Sequence, residues 1–172
     1  MACSPLEQFA IVPSIPKWIH KFHTSKKESI LYTTPDYPFQ FLWFLRYHTN
    51  TRLEISIDIR GVDYPSPERR FKVVYNSPSI RYNLCIRVQI GVDEITSASS
   101  VISTSPSAGR WEREMWDMFG LYFSNYPDLR RIPTDYGSEG HSLRKDFPSS
   151  GYVEVRHDDL DKRVVSEPME MA

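Results

Sequence analysis

Residues 53–60 read LEISIDIR, and along this stretch apolar and polar side chains alternate one by one. Alternation with a period of two is typical of a β-strand that has one buried side and one solvent-facing side. The pattern returns at residues 71–75 and 84–90, after turn-forming segments at residues 63–67 and 76–83. Three consecutive strands joined by turns predict an antiparallel meander.

A strand and a helix are predicted ahead of the meander. Residues 26–34 indicate a first strand, and residues 37–48 are apolar almost all round, which indicates a buried helix. Asp36 is the candidate N-cap of this helix, and Pro38 suits its first turn. Residues 1–27 contain several prolines, and we expect short helical pieces that end at them.

Residues 111–119 read WEREMWDMF and predict a second, amphipathic helix. Glu112 and Glu114 would lie in its first turn, where the helix dipole favours anions, and Gly120 suits its end. At about 100° per residue, apolar side chains form one stripe and charged side chains lie opposite, on a solvated or contact-making face. The stripe comprises Trp111, Met115, Met118 and Phe119 and continues to Tyr122, while the opposite face carries Arg113, Glu114 and Asp117.

The chain changes character after residue 126. Residues 1–126 carry 14 basic and 12 acidic side chains, whereas residues 127–172 carry 7 basic and 10 acidic ones and show no sustained period. Isolated apolar residues are spaced through this last part like anchors, and it cannot build a core of its own. We therefore predict an α+β core domain over 1–126, a mainly antiparallel sheet with helices packed on it, and an extended partner-binding arm over 127–172.

Composition excludes several classes of function. The net charge of −1 argues against a generic nucleic-acid binder, and Cys3 and Cys85 are too few for a four-cysteine cluster. No stretch approaches the roughly 20 apolar residues of a membrane span. Phosphate-binding glycine motifs are absent and the five histidines are scattered, so we expect no cofactor and no metal.

Charged residues of the arm form the candidate site. Arg130 and Arg131 are adjacent, and His141 precedes the sequence LRKDFP at residues 143–148. Paired guanidinium groups suit carboxylates on a protein partner, and neighbouring acids oppose a phosphate track. With the charged face of the second helix, the candidate partner-binding residues are Arg113, Glu114, Asp117, Arg130, Arg131, His141, Arg144, Lys145 and Asp146.

Three motifs carry a resemblance to a known family. EREMWDMF at residues 112–119, PDLRR at 127–131 and GHSLRKDFP at 140–148 closely resemble the 30 kDa subunit family of respiratory complex I. Residues 151–156 and 162–168 look like its mitochondrial branch, in the version encoded by plant mitochondrial genomes. The resemblance covers most of the chain.

The resemblance implies a core structural and assembly subunit of the peripheral, quinone-module arm of proton-translocating NADH:ubiquinone oxidoreductase. Such a subunit binds no redox cofactor and has no active site of its own. It is an obligate hetero-oligomer with other complex I subunits, chiefly the 49 kDa-type subunit. It lies on the matrix side of the mitochondrial inner membrane without spanning it.

Two other readings of the residues stay open. One is a stand-alone small α+β enzyme that uses His141 with a nearby carboxylate as an acid–base pair. The other is a protein-binding adaptor outside respiration. Cys85 does not suit the role of a nucleophile, because its predicted strand offers no neighbouring base, and a packed small side chain is the simpler interpretation.

Overall fold

A five-stranded sheet with helices on one face forms the centre of the protein, as a computed structural model shows. The structure describes residues 18–25, 28–65, 69–132, 134, 137–160 and 162–169. The helical pieces expected over residues 1–17 and the side chain of Cys3 lie outside these residues. The strands are β1 (Ile19–Ser25), β2 (Glu28–Thr33), β3 (Asp58–Asp63), β4 (Phe71–Ser79), β5 (Leu84–Val92), β6 (Ala98–Ser99), β7 (Phe123–Ser124), β8 (Val153–Asp158) and β9 (Arg163–Pro168), and the helices are α1 (Pro38–Tyr47) and α2 (Ala108–Phe119).

The strand order of the large sheet is β1-β2-β5-β4-β3. Strands β3, β4 and β5 pair antiparallel in sequence order, which confirms the predicted meander. Strand β2 pairs with β5 in parallel, and β1 closes the edge as an antiparallel neighbour of β2. The α+β class is confirmed.

Both helices contribute to a single core on one face of the sheet. On β4 the side chains of Phe71, Val73 and Tyr75 are fully buried, whereas the residues between them are at least partly exposed. Helix α1 adds Phe41 and Leu45 to the same cluster, and α2 adds its own apolar stripe. Each such side chain stabilises the fold by about 1.5–3 kcal/mol relative to exposure. The opposite face of the sheet has no helix over it among the described residues.

The strand predicted from residue 53 begins only at Asp58, so this prediction was wrong over most of its length. The Thr51 hydroxyl donates to the carbonyl of Leu45, and the Leu53 amide donates to the same carbonyl. Arg52 has a φ of 42°, which turns the chain back around the end of α1. Leu53 is therefore buried against the helix, and its alternation with the following residues does not belong to the sheet.

One helix prediction and one turn prediction were also wrong. Residues 19–25 form strand β1 instead of a broken helix. Strand β4 continues through Asn76 and Pro78 to Ser79, where a turn was expected. Pro78 is tolerated because β3 pairs only as far as Asn76, so β4 is an edge strand at this end and its missing N–H breaks no ladder.

Helix α1 occupies nearly the predicted residues, but two details differ. Its N-cap is Tyr37, which makes no side-chain capping bond, so Asp36 is not the cap. Trp43 and Tyr47 are 52% and 63% exposed, so one side of the helix faces outward. The first strand prediction, by contrast, is confirmed in β2.

Helix α2 begins at Ala108, three residues earlier than predicted. Glu112 and Glu114 therefore lie beyond the first turn, and the expected interaction with the helix dipole does not arise there. Met115 and Phe119 are buried as predicted, but Tyr122 is exposed. The described residues contain no helix that is long and apolar enough to cross a membrane.

The chain ends in a two-stranded hairpin made of β8 and β9. Most of its side chains are exposed. An isolated two-stranded hairpin is only marginally stable in water. That residues 127–172 act as an arm on a partner stays a prediction.

Candidate functional site

The C-terminal end of α2 is covered by residues 141–144. The carbonyl of Asp117 accepts a hydrogen bond from His141 Nδ1 at 2.8 Å, the carbonyl of Met118 one from the Leu143 amide at 3.2 Å, and the carbonyl of Phe119 one from Arg144 Nε at 2.7 Å. The last carbonyls of a helix have no partner within it, and positive charge is favourable there. The segment therefore caps the helix, and His141 carries a proton on Nδ1.

Gly120 makes this close approach possible. It ends the helix with a φ of 75°, in the left-handed region that favours glycine, as predicted. A Cβ atom at this position would lie 2.5 Å from His141 Nε2 and 2.7 Å from Arg144 Nη2. A side chain would thus displace the capping residues in addition to straining the backbone.

Asp117 fixes the preceding part of the same segment. Its side chain is fully buried, and it accepts hydrogen bonds from the Thr134 hydroxyl at 2.6 Å and from the amides of Ile132 and Thr134 at 3.2 Å. Arg131 Nε lies 3.7 Å from Asp117 Oδ1. The Asp117 carboxylate, predicted to lie on a solvated or contact-making face, is therefore buried and anchors residues 132 and 134 to α2.

Asp63, at the end of β3, is a second buried anchor. It accepts two hydrogen bonds from Arg70, from Nε at 2.9 Å and Nη2 at 3.0 Å, and one from the Lys145 amide at 2.8 Å. The hydrogen bonds from Arg70 hold the pKa of the Asp63 carboxyl below its usual value, against the effect of burial. Asp63 thus connects the backbone at Lys145 to the sheet.

Arg70 is the centre of a wider ionic cluster. Its Nη1 donates to Glu94 at 2.6 Å, and Nη2 also contacts the carboxylate of Asp146. The hydrogen bonds to Asp63 and Asp146 raise the pKa of the guanidinium, so it stays charged at any physiological pH. The guanidinium carbons of Arg70 and Arg144 lie 5.2 and 5.3 Å from the centroid of the buried Phe71 ring, within the range of cation–π attraction.

Glu112 is a third buried carboxylate, on the side of α2 that faces residues 98–101. It accepts hydrogen bonds from the Ser100 hydroxyl at 2.6 Å and the Val101 amide at 2.7 Å. Burial raises the pKa of Glu112 to about 6, although both hydrogen bonds act in the opposite direction. The buried Tyr75 hydroxyl finds no hydrogen-bond partner among the described residues, and its pKa is raised by burial and by Glu112.

We expect Glu112→Gln to gain stability relative to the natural chain as the pH rises. A carboxyl whose pKa is raised on folding contributes stability that is present below its unfolded value of 4.5 and is lost as the pH passes about 6. Gln does not ionise, so its advantage should grow by about 2 kcal/mol between pH 4 and pH 8. Urea unfolding at several pH values measures it.

The exposed Glu54→Gln variant serves as the control, because it removes a charge without altering a buried environment. Its unfolding free energy should follow that of the natural chain. If the difference in unfolding free energy between Glu112→Gln and the natural chain were constant over this pH range, burial would not raise the pKa of Glu112.

The candidate residues fall into two groups. Asp117, Arg131, His141, Arg144 and Asp146 are brought together by contacts within the chain. Arg130 is 69% exposed and pairs only with Asp128, at 3.1 Å, among the contacts described. Lys145 contributes its amide to Asp63 while its side chain is exposed, and Arg113 and Glu114 are half-buried on α2. That these residues bind a partner stays a prediction.

Sequence reasoning missed Asp63, Arg70, Glu94 and the structural role of Glu112. One signal was available for Asp63, because it continues the inward register of Ile59 and Gly61 along β3. An acid at an inward position requires a donor, and Arg69 and Arg70 are the first cations after the turn. Arg70 then recruits Glu94 from a distant part of the sequence, which no local pattern indicates.

The geometry does not favour the reading as an enzyme built on His141. Its Nδ1 donates to a backbone carbonyl, and the neighbouring ring is that of Trp116, with centroids 6.2 Å apart. The Asp117 carboxylate is directed to Thr134 instead. In the part of the chain that the structure describes, no three His, Cys, Asp or Glu side chains form a group that could hold a metal ion.

Comparisons with known proteins add independent findings. Residues 31–153 match the family described as respiratory-chain NADH dehydrogenase, 30 Kd subunit. The chain is 68% identical over 162 residues to NADH dehydrogenase (ubiquinone) iron-sulfur protein 3 of Marchantia polymorpha, covering 94% of this chain and 83% of that protein. It is 52% identical over 161 residues to NADH-ubiquinone oxidoreductase subunit 9 of Prototheca wickerhamii, covering 94% and 84%.

A solved structure shares the fold. One chain of the membrane-bound sulfane sulfur reductase, an archaeal respiratory membrane complex, superposes with a TM-score of 0.70. The match covers 84% of this chain and 86% of that one at 20% identity. At this identity the likeness concerns the fold alone.

Proposed function

Because the chain belongs to the 30 kDa subunit family of respiratory-chain NADH dehydrogenase, and is by that membership a core subunit of NADH:ubiquinone oxidoreductase, we propose that it acts there as a structural and assembly subunit. It braces the peripheral, quinone-module arm of the mitochondrial enzyme. The observation that carries this proposal is the use of the buried carboxylates. Asp63, Asp117 and Glu112 all bind donors of this same chain, so they shape a surface and perform no chemistry.

The subunit supports electron transfer from NADH to ubiquinone without holding a redox centre. The names of its relatives include the words iron-sulfur protein. An iron–sulfur cluster of the usual kind needs four cysteine ligands, and this chain has only Cys3 and Cys85. Cys85 lies within β5, where no second cysteine of the chain is near in sequence. The residues therefore do not fit a cluster.

The chief partner of this surface is the 49 kDa-type subunit, and the contact lies on the matrix side of the inner membrane. Support comes from the C-terminal part of the chain, where Asp117 holds Ile132 and Thr134 against α2 and Asp63 holds Lys145 against the sheet. Arg130 stays outside these anchors with its charge exposed. Beyond them the exposed hairpin of β8 and β9 carries apolar side chains at Val153, Val155 and Val164.

We expect Arg130→Glu to lower the amount of assembled complex by roughly tenfold, because reversing an interface charge places like charges opposite each other. Arg131 is less suitable, since it donates to the carbonyls of Ser138 and Gly140 and its reversal would also disturb the segment itself. Native gel electrophoresis with an in-gel activity stain measures assembly. Quinone reductase activity should fall in proportion.

Arg81→Glu is the matched control, because Arg81 is an exposed cation in the turn between β4 and β5. It should leave assembly unchanged. A normal amount of Arg130→Glu complex with lost turnover would point to a direct catalytic role and would refute the structural assignment.

A further inference from the structure

The face of the sheet opposite the helices carries an excess of positive charge. Side chains that point to this face include Lys21 on β1, Arg87 on β5, Lys72 on β4 and Arg60 on β3. Two acids hold positions on the same face: Asp58, which is nearly buried and bonded to Arg60, and Glu28, which begins β2, so the four cations exceed the acids by two. The chain as a whole has a net charge of −1, so this open face differs in sign from the rest.

Apolar groups lie between these cations. Ile30, Tyr32 and Val74 are half-buried in the middle of the face, and Val62 is exposed beside them. Their neighbours that point to the helix side, such as Leu31 and Val73, are almost fully buried. The partial exposure of Ile30, Tyr32 and Val74 is that of a sheet face with no layer packed on it among the described residues. A centre of apolar and tyrosine side chains with arginines around it is the usual composition of a protein interface.

A cleft opens at one end of this face. It has a volume of about 260 Å³, and its lining includes His20, Arg69, Lys72, Gln89 and Gly91. The stem of Arg69 lies over Gly91, where a Cβ would be 2.9 Å from its Cδ. Among the residues that the structure describes, its lining includes two cations, an amide and Tyr32 and has no acid, which suits a carboxylate.

We propose that this open face docks an acidic surface of another subunit of the complex, with a carboxylate side chain of that subunit in the cleft. The four cations lie on β1, β5, β4 and β3 and so span the width of the five-stranded sheet, about 19 Å at the usual strand spacing, which exceeds the reach of one small ligand. A nucleic acid is less suited. Tight phosphate binding uses about 6–10 cationic contacts. This face offers fewer, because Arg60 is already paired with Asp58 and the Lys72 ammonium lies 4.4 Å from the centroid of the Tyr64 ring.

Carbodiimide cross-linking of the purified parent complex tests the docking, because this reagent joins a lysine amine directly to a carboxylate in contact with it. The expected products link Lys21 or Lys72 to an Asp or Glu of another subunit. Acylation of both lysines should also be at least fivefold lower in the native complex than in the denatured one. A link from either lysine to Glu7 of this chain would overturn the proposal, because the chain's own N-terminal segment would then cover the face.

Variants give a second measurement. Lys21→Glu combined with Lys72→Glu should reduce incorporation of the subunit about tenfold, while Arg52→Glu, an exposed cation beside α1, should not. Unchanged incorporation of the double variant, or full acylation of both lysines in the native complex, would overturn the docking. This proposal rests on the proposed function, but the two can fail separately. Accessible lysines in a complex that contains the chain refute only the docking, whereas absence of the chain from the complex refutes both.

Discussion

Replacing Asp63 with alanine is expected to lower the free energy of unfolding by about 3–5 kcal/mol, because it leaves a partly buried cation without its main partner. Arg70 is only 19% exposed, and Asp63 supplies two of its hydrogen bonds. The variant also removes the acceptor of the Lys145 amide. Urea unfolding gives the total effect. Hydrogen exchange should show the amides of Leu143 and Lys145 losing protection, since residues 141–146 would separate from the body.

The dependence on pH distinguishes lost charge from lost packing. The pKa of Asp63 is lowered on folding, so its contribution is present above the unfolded value of 3.8 and is lost as the pH falls through the lower folded value. The difference in free energy of unfolding between the natural chain and Asp63→Ala should therefore become smaller below about pH 4. A gap that is the same at pH 3 and pH 7 would contradict the ionic explanation.

Asp58→Ala is the matched control for this prediction. Asp58 begins the same strand that Asp63 ends, and it also pairs with an arginine. The Arg60 side chain, however, is 75% exposed, and ion pairs with exposed partners contribute about 1 kcal/mol or less. Equal losses in the two variants would show that Asp63 holds nothing beyond an ordinary surface pair.

Gly61→Val is expected to cost about 3 kcal/mol by forcing α2 away from the sheet. A Cβ atom at Gly61 would lie 2.6 Å from Met115 Sδ and 2.8 Å from a ring carbon of Phe119. Both side chains are buried in the core, so neither can move out without leaving a gap. Thermal unfolding should show the loss, and near-ultraviolet circular dichroism should report a changed environment of the aromatic side chains on α2.

Gly91→Val provides the comparison, because Gly91 is also a strand glycine. The atom that its Cβ would meet is Cδ of Arg69, on a flexible and exposed side chain that can turn away. Its effect on stability should be within about 0.5 kcal/mol. If both valine variants were equally stable, close packing of α2 on β3 would not explain the glycine at position 61.

The sequence predicted the meander and α2 because each of these elements has one apolar side, and it predicted α1 because residues 37–48 are apolar almost all round. Strands β4 and β5 alternate as expected, and Met115 and Phe119 lie on the buried stripe of α2. The failure at residues 53–57 has a different cause. There Leu53 is buried because the chain wraps around the end of α1, whereas Ile55 and Ile57 are exposed, so a period of two does not by itself show that the apolar residues share a covered face.

The candidate site was only partly predictable, because α2 is covered on more than one side. A single apolar stripe implies that the charged residues opposite face solvent, and on that basis Asp117 was assigned to the surface. The amides of Ile132 and Thr134 donate to Asp117 on that side, and such backbone donors have no signature in the sequence. Glu112 is buried in the same way by the backbone and hydroxyl of residues 100–101.

The parallel pairing of β2 with β5 has a consequence for how the protein is made. It joins residues 57 positions apart, as in the pair of Glu28 with Cys85, whereas the meander joins near neighbours. Distant pairings form late, because a long loop must close before they contribute. A nascent chain therefore completes its N-terminal hairpin first and holds it with an unpaired edge until β5 has been synthesised. During that interval we expect it to depend on chaperones for protection from aggregation.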